Sequence, residues 1–373
     1  MWNQASPFIF DGPLPPDRVI GRQLEADTIR TWAGEGRFMA LVAPRRFGKT
    51  SLIKKVVEES ANDNLTVVVA DLYEVASTAD LVLRLERAWS EHTPKRLRRA
   101  VTKVLAGAQV GVSIAGSGFA VTLADRPKTD PLPALHALLD LPTKIGGKGA
   151  ERSLVVFDEF QSVSRLVGAE AVIRSHAQHQ RRHASYLFAG SEPGMVEAAF
   201  EDRARPFYGQ VEMFHLDRLS PAELFGGLES RFQETARDAS EVIGELIRVS
   251  EGHPQRTMLL AHLLWQQIPE RGAATRQDLD TAVEAALVRI DPEARAVISG
   301  LTGIQRKVLR AVAEYGSPMA ARALKSLDLL KPSAQSATPL LVSSGLIEET
   351  DLGWRVVDPF LALWLRHNYA TRP

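Results

Sequence analysis

Along the first part of the chain, apolar segments typical of strands alternate with segments in which apolar residues have helical spacing. A short, continuously apolar run of the kind shown by buried parallel strands occurs at residues 38–43, and further mainly apolar segments that indicate strands lie at 65–72, 153–157, 184–190 and 211–216. Stretches with helical spacing lie before and between them, for example at 23–34, 77–91 and 132–142. This alternation predicts an α/β fold, with a mainly parallel sheet and helices on both of its faces.

Beyond Leu219 the pattern becomes entirely helical, with helix starts signalled by Ser220-Pro221 and by Pro254. From about residue 302, three short helical patterns precede a hairpin-like stretch at 346–357, which is the plan of a winged helix. We therefore predict an N-terminal arm, a core, an all-α lid and a winged-helix domain, at residues 1–18, 19–218, 219–300 and 301–373.

Two segments need separate interpretations. The arm is rich in Pro and lacks periodicity, so it is expected either to lie over the first domain or to be disordered. Within the core, two β-like runs around the turn Gly116-Ser-Gly118 predict a β-hairpin inserted at about 108–124.

Composition excludes several classes of chemistry. The chain has 373 residues and no Cys, so disulfides, thiolate metal sites and thiol nucleophiles are ruled out. Acidic and basic residues balance at 45 each, so no global field draws the protein to nucleic acid or to a membrane surface. The chain lacks a signal-like N-terminus and an apolar stretch approaching membrane-spanning length. We expect a soluble, cytoplasmic protein with no membrane partner.

The first apolar strand leads into a phosphate-loop pattern that begins at Ala43 and ends at Thr50, with Ala in place of the usual first Gly. In such a loop, amides at a helix start converge on phosphates, Lys49 neutralises the β and γ oxygens, and the Thr50 hydroxyl binds Mg²⁺. The Ala costs little if its φ is negative. We predict nucleotide contacts from Ala43, Pro44, Arg45, Arg46, Phe47, Gly48, Lys49, Thr50 and Ser51.

An acidic pair follows the third apolar run directly. Asp158 is expected near the metal, and Glu159 is expected where it can polarise an attacking water. A solvated acidic turn is the alternative interpretation. It becomes the weaker one because the phosphate loop is also present.

Two further strand ends carry polar candidates. Ser191 follows the fourth run and is a candidate for holding the lytic water, with an ordinary strand-end turn as the alternative. Arg203 and Arg205 precede the fifth run, where a cation can stabilise transition-state charge in cis or across a subunit interface, although surface arginines are usually only solvated. We take Arg205 as the catalytic candidate.

The lid contains the sequence Gly252-His253-Pro254-Gln-Arg256 at a predicted helix start. A helix N-terminus that reaches back over the nucleotide could bring His253, Pro254 or Arg256 to the base or the phosphates. The alternative is a simple helix start with an exposed His.

Together these motifs resemble the archaeal-type ATPases of the STAND branch of P-loop NTPases, which are allied to AAA+ proteins. The resemblance covers about residues 18–366 and rests on segments shared with that family: Ile20-Gly21-Arg22 with Glu25, Pro44–Ser51, Phe157–Gln161, Gly190-Ser191, Pro206–Gly209, Gly252–Pro254 and Asp358–Trp364. The opening segment adds Gly21 and Arg22 to the candidate nucleotide contacts. The chain departs from the family at Ala43, usually Gly, and at Gln210, often Arg, which weakens any arginine-based catalysis from position 210.

The resemblance implies an ATPase core, a lid and a winged helix that work as an Mg²⁺-dependent, slowly hydrolysing, nucleotide-driven switch. In this scheme ATP binds between core and lid, and the state passes to an unknown protein partner, with a nucleotide-dependent oligomer left open. One alternative is a DNA-binding AAA+-like ATPase of the origin-recognition or transposition-helper type. Another is a scaffold that holds ATP without turnover, against which Glu159 argues.

The sequence gives the DNA alternative limited support. The presumed recognition helix at 333–344 contains no Arg or Lys, whereas helices that read a DNA groove normally supply several cations. Two basic stretches, at 95–103 and 176–183, are the other candidate DNA contacts, and both have spacing that also fits solvated helix faces.

Overall fold

The computed structural model describes residues 5–63, 65–93, 98, 101–102, 112–115, 118–121, 130–146 and 152–369, and these fall into two units. The sheet unit comprises Gln23–Ala43 and Lys49–Leu216. The helical unit comprises the chain up to Arg22, the loop Pro44–Gly48 and the chain from Asp217 onward. The phosphate-loop segment thus leaves the sheet unit after Ala43 and returns to it at Lys49.

Five parallel strands form the sheet of the first unit, in the order β2-β5-β6-β1-β7. Their bounds are β1 Phe38–Val42, β2 Leu65–Asp71, β5 Arg152–Asp158, β6 Ala184–Gly190 and β7 Glu212–His215. Every residue of β1 and β6 is buried, as the continuous apolar runs predict for strands covered on both faces. The predicted α/β fold with a parallel sheet is confirmed.

The helices that accompany this sheet include α1 Gln23–Glu35, α2 Lys49–Glu59, α3 Thr78–His92, α4 Leu132–Leu139, α5 Leu141–Gly146, α6 Ala169–Ala177 and α7 Pro193–Glu201. The prediction of a single helix at 132–142 is wrong, because the structure has two helices there, α4 and α5, which separate after Leu139. Pro142 has no N–H with which to continue the hydrogen bonding of α4.

The predicted inserted hairpin is present in the part of it that the structure describes. Strands β3 Val112–Ala115 and β4 Gly118–Val121 pair antiparallel. The remainder of 108–124 lies outside the described residues.

The helical unit contains α8 Pro221–Glu234, α9 Ser240–Ser250, α10 Pro254–Gln267, α11 Arg276–Gly300, α12 Gly303–Tyr315, α13 Ala321–Ser326, α14 Lys331–Ser343, the hairpin β8 Ile347–Thr350 and β9 Gly353–Val356, and α15 Pro359–Tyr369. Capping boxes begin α8, α11 and α12, where Ser220, Thr275 and Thr302 each exchange hydrogen bonds with the residue three positions later. Across the part of the chain described here, no helix combines the length and apolar character needed to cross a bilayer.

One hydrophobic core extends through the whole helical unit. The long helix α11 packs against α10 on one side and against α15 of the winged-helix region on the other. The arm contributes Phe8, which is 2% exposed and lies 4.6 Å from Phe232 between ring centroids. The arm therefore belongs to the helical unit, whereas the sequence suggested that it lies over the first domain or is disordered.

Candidate nucleotide site

The ammonium group of Lys49 lies between two carboxylates in the sheet unit. Its Nζ is 2.6 Å from Asp158 Oδ1 and 2.8 Å from Glu159 Oε1, and the Lys49 side chain is only 7% exposed. These residues are far apart in sequence, but parallel strands end at one edge of the sheet, so the end of β5 and the start of α2 meet there. The structure thus brings Lys49, Asp158 and Glu159 together at this edge.

The hydroxyl of Thr50 lies beside the same acidic pair, because its Oγ1 is 3.5 Å from Asp158 Oδ2. Over the described stretches of the chain, no group of three or more His, Asp or Glu side chains is arranged to hold a metal ion. Mg²⁺ usually takes only one or two protein carboxylates and completes its shell with phosphate oxygens and water. One hydroxyl and one carboxylate therefore fit a magnesium ion that arrives with a phosphate ligand.

Glu159 has two side-chain donors besides Lys49. Its Oε2 accepts a hydrogen bond from Ser191 Oγ at 2.7 Å and another from Gln161 Nε2. Ser191 follows β6, the strand next to β5, and therefore lies beside the acidic pair. Sequence reasoning gave Gln161 no role, although it stands in the segment that carries the family resemblance.

The two carboxyls of the acidic pair differ in acidity. Burial raises the pKa of Asp158, against the opposing attraction of Lys49. Burial also acts to raise the pKa of Glu159, but the attraction of Lys49 and the hydrogen bonds from Lys49, Ser191 and Gln161 outweigh it and lower that pKa. Glu159 is therefore ionised at neutral pH and can accept a proton.

Arg205, the predicted catalytic cation, has a different partner. Its Nη1 lies 3.2 Å from Glu170 Oε2 on α6, and Ser164 Oγ donates to the same carboxylate. The structure thus pairs Arg205 with Glu170 rather than with Asp158 or Glu159.

The backbone of the phosphate loop follows the demands of its sequence. Ala43 is not among the residues with positive φ, so the replacement of the usual Gly carries no strain. Gly48 has a φ of 86° and Arg46 a φ of 70°, so two residues of the loop have a left-handed backbone conformation. One of them is Arg46, and residues other than glycine rarely adopt this conformation. Arg45 is exposed on the loop, and Ser51 is buried in the first turn of α2.

In the helical unit, the opening segment Ile20-Gly21-Arg22 contacts the phosphate loop through Arg22. Arg22 is buried and donates to the carbonyl oxygens of Phe47, at 3.3 Å, and of Asp217. Gly21 has a φ of 64°, and a Cβ on it would meet the carboxylate of Glu223 at 2.9 Å. Pro44 begins the loop segment that joins this unit. Arg22 is thus placed to fix the loop's shape.

His253 is buried, so the alternative interpretation of a simple helix start with an exposed His is wrong. Its Nδ1 accepts a hydrogen bond from the Arg256 amide at 3.4 Å, which caps α10, and Pro254 occupies the first position of that helix. The His253 ring packs edge-on to Phe47, with centroids 4.9 Å apart. Burial lowers the pKa of His253 to about 3, so the ring is neutral.

A chain of ion pairs, here called the Glu293 network, joins the phosphate loop to the winged-helix region inside the helical unit. Arg46 pairs with Glu293 of α11, and Glu293 also pairs with Arg256 at 3.3 Å. Arg256 in turn binds Asp358, the residue before α15, with its Nε 3.0 Å from Oδ1. No sequence signal pointed to Glu293, which lies inside a long amphipathic helix.

Comparison with known proteins adds the fold class. No curated protein matches the chain in sequence, but residues 295–367 match the family described as "Probable winged helix domain". The Walker-type ATPase of Pyrococcus abyssi is similar in structure, with a TM-score of 0.71 and 17% identity over 96% of this chain and 99% of that chain. The ORC2 protein of Aeropyrum pernix, solved as ADPNP-ADP complexes, has a TM-score of 0.57 and 15% identity over 97% of this chain and 98% of its own.

The chain therefore has the fold of a P-loop ATPase followed by a winged helix. In that class it resembles archaeal Walker-type ATPases and ORC proteins in structure. This confirms the fold class that the sequence predicted and the structural likeness to archaeal-type ATPases.

His253 makes the stability of the protein depend on pH in a predictable direction. Between pH 6.5 and about 3 the unfolded chain binds a proton at His253 that the folded chain does not, so this residue lowers stability as pH falls through that window. We expect the free energy of unfolding to change with pH more steeply in the wild type than in His253→Asn, by up to about 1.4 kcal/mol per pH unit. Asn keeps the capping acceptor and does not titrate.

Urea unfolding of both proteins at several pH values from 7 to 4.5 measures this difference in slope. Parallel pH dependences of the two proteins would contradict the burial of a neutral His253.

Proposed function

We propose that the protein is an Mg²⁺-dependent ATPase that works as a nucleotide-driven switch and signals to a protein partner through its lid and winged helix. The observation that carries the proposal is the placement of Lys49 against Asp158 and Glu159 at the end of the central sheet. A lysine, an acidic pair and a loop at a helix start are the parts that phosphoryl transfer requires. The similar ORC2 structure was solved with ADPNP and ADP, which supports a nucleotide ligand here.

In the proposed reaction each side chain has one task. The amides of the loop and the ammonium of Lys49 bind the phosphates, and Thr50 with Asp158 would hold Mg²⁺, which neutralises charge on the phosphate oxygens. Glu159 accepts the proton of the attacking water, and Ser191 keeps the Glu159 carboxylate in place.

The Glu293 network supports the switch. Arg46 stands in the phosphate loop and shares Glu293 with Arg256, and Arg256 is bound to Asp358 at the start of α15. A bound triphosphate competes with Glu293 for Arg46. When Glu293 loses Arg46 as a partner, the charge balance around Arg256 changes. Through Arg256 and Asp358, the bound nucleotide then affects the winged-helix region.

The winged helix favours a protein partner over DNA. Helix α14 begins two residues earlier than predicted and so includes Lys331, its only basic residue. Leu330 and Leu340 are exposed on or beside this helix, and Leu352 is exposed at the tip of the hairpin. Of the basic stretches, most of 95–103 lies outside the described residues, while Arg181 packs its guanidinium over the Phe38 ring.

Glu159→Gln tests the hydrolytic step. Because the amide cannot accept the water's proton, we expect phosphate release to fall by about 100-fold or more, while binding of a fluorescent ATP analogue changes little. Glu212→Gln is the matched control, since Glu212 is exposed at the amino end of β7 and should turn over ATP at the wild-type rate. Equal turnover in Glu159→Gln and the wild type would remove Glu159 from the role of base.

Glu293→Gln tests the switch separately. We expect ATP to protect the amides of α15 from hydrogen exchange to a different extent than ADP in the wild type, and this difference to vanish in Glu293→Gln. ATP affinity should change by less than about threefold, since an exposed ion pair contributes little. Glu284→Gln, exposed on the same helix, is the control. An unchanged response of α15 in Glu293→Gln would contradict the relay.

A further inference from the structure

The second oxygen of the Glu159 carboxylate has a dedicated amide partner. Gln161 lies in the short 3-10 turn Phe160–Arg165 that follows β5, and its side chain is almost fully buried. Its Nε2 donates to Glu159 Oε2, the oxygen that also accepts from Ser191. Lys49 binds the other oxygen, Oε1. The two oxygens of Glu159 therefore face different donors.

The position of Gln161 is fixed by packing. Its neighbour Phe160 is buried among aromatic rings, with centroids 4.7 Å from Phe188 and 5.7 Å from Phe200. Gly190, the last residue of β6, leaves the space that the amide occupies, because a Cβ there would lie 2.5 Å from Gln161 Oε1 and would also collide with Val196. The amide is thus held by the shape of two neighbouring strand ends.

The backbone of Glu159 gives a second, independent sign of a built arrangement. Its φ of 57° and ψ of 41° place a non-glycine residue in the left-handed region. Side chains avoid this region unless their surroundings over-determine it, and such residues cluster at functional sites. Here the surroundings are the donors from Lys49, Ser191 and Gln161.

We propose that Gln161 is a positioning residue for ATP hydrolysis, which orients Glu159 so that Oε1 is the oxygen that takes the water's proton. The inference rests on the proposed ATPase function. When the phosphates of ATP attract Lys49, Oε1 loses its donor and becomes free to accept. Gln161 and Ser191 keep their bonds to Oε2, so the carboxylate cannot turn away.

The proton and the electrons then balance around Glu159. The O–H bond of the attacking water breaks, its proton passes to Oε1, and the water oxygen forms a bond to the γ-phosphorus. The bond between that phosphorus and the bridging oxygen breaks, and its electron pair leaves with ADP. An uncharged amide suits this task because it does not titrate and the phosphates do not attract it as they attract Lys49.

Gln161→Met tests the inference, since Met fills a similar volume and has no donor. We expect kcat to fall about 10- to 100-fold, as for loss of a hydrogen bond to a charged group, while KM and the affinity for a fluorescent ATP analogue stay within about threefold. Loss of a donor to the carboxylate also raises the pKa of Glu159. The acidic limb of the pH–kcat profile should therefore move to higher pH.

Gln180→Met is the matched control. Gln180 is equally buried in the same unit, where its amide donates to the Leu139 carbonyl and accepts from the Tyr186 hydroxyl, away from Glu159. This variant should lose stability but keep the wild-type kcat and pH profile. If Gln161→Met does not fold, Gln161→Asn decides, because its amide is one methylene too short to reach Oε2 and should lower kcat and shift the pH limb in the same way.

The outcomes separate the two proposals. Wild-type kcat and an unmoved acidic limb in a folded Gln161 variant would overturn this inference and leave the ATPase function standing. A loss of kcat that Gln180→Met matches would also overturn it, since the effect would then be general destabilisation. No turnover of Mg·ATP by the wild type would overturn the ATPase function and this inference with it.

Discussion

The buried ammonium of Lys49 is the constraint on which the site depends. A charge taken out of water is costly unless it is paired and hydrogen-bonded, and Lys49 meets that demand through Asp158 and Glu159 together. Under the proposed function, a phosphate that arrives with Mg²⁺ brings a cation to these carboxylates and replaces them as a partner of Lys49.

The sheet makes this trio possible by its strand order. Strand β6 lies between β1, which leads into the phosphate loop, and β5, which ends in the acidic pair. Ser191 at the end of β6 therefore stands within reach of Glu159. Next to this edge of the sheet, the rings of Phe157 and Phe188 stack on each other and are buried in the hydrophobic core. Close packing of this core fixes the backbone that carries the acidic pair. The positions of Ser191 and the acidic pair at the strand ends therefore depend on the packing of this aromatic core.

Much of the fold and part of the site could be predicted from local pattern. Mainly apolar segments indicate the five strands, most clearly β1 and β6, which are buried along their whole length, and motif spacing indicates Lys49, Thr50 and the acidic pair. Helices α6 and α7 were not predicted, since short helices rich in Ala give weak periodicity. The partners of Arg205 and Arg256 could not be predicted, because Glu170 and Asp358 are brought to them only by tertiary packing across 35 and 102 residues of sequence. The burial of His253 has the same cause.

The account depends most directly on Lys49 exchanging its carboxylate partners for the phosphates of a metal-bound nucleotide. Isothermal titration of the wild type and of Lys49→Ala with ATP, in the presence of Mg²⁺ and again with the metal chelated, measures this exchange, and circular dichroism checks that the variant folds. The account predicts binding of Mg·ATP by the wild type, and binding weaker by at least about 100-fold both in the variant and without the metal. No heat with any Mg-nucleotide, or equal affinity in wild type and Lys49→Ala, would contradict it.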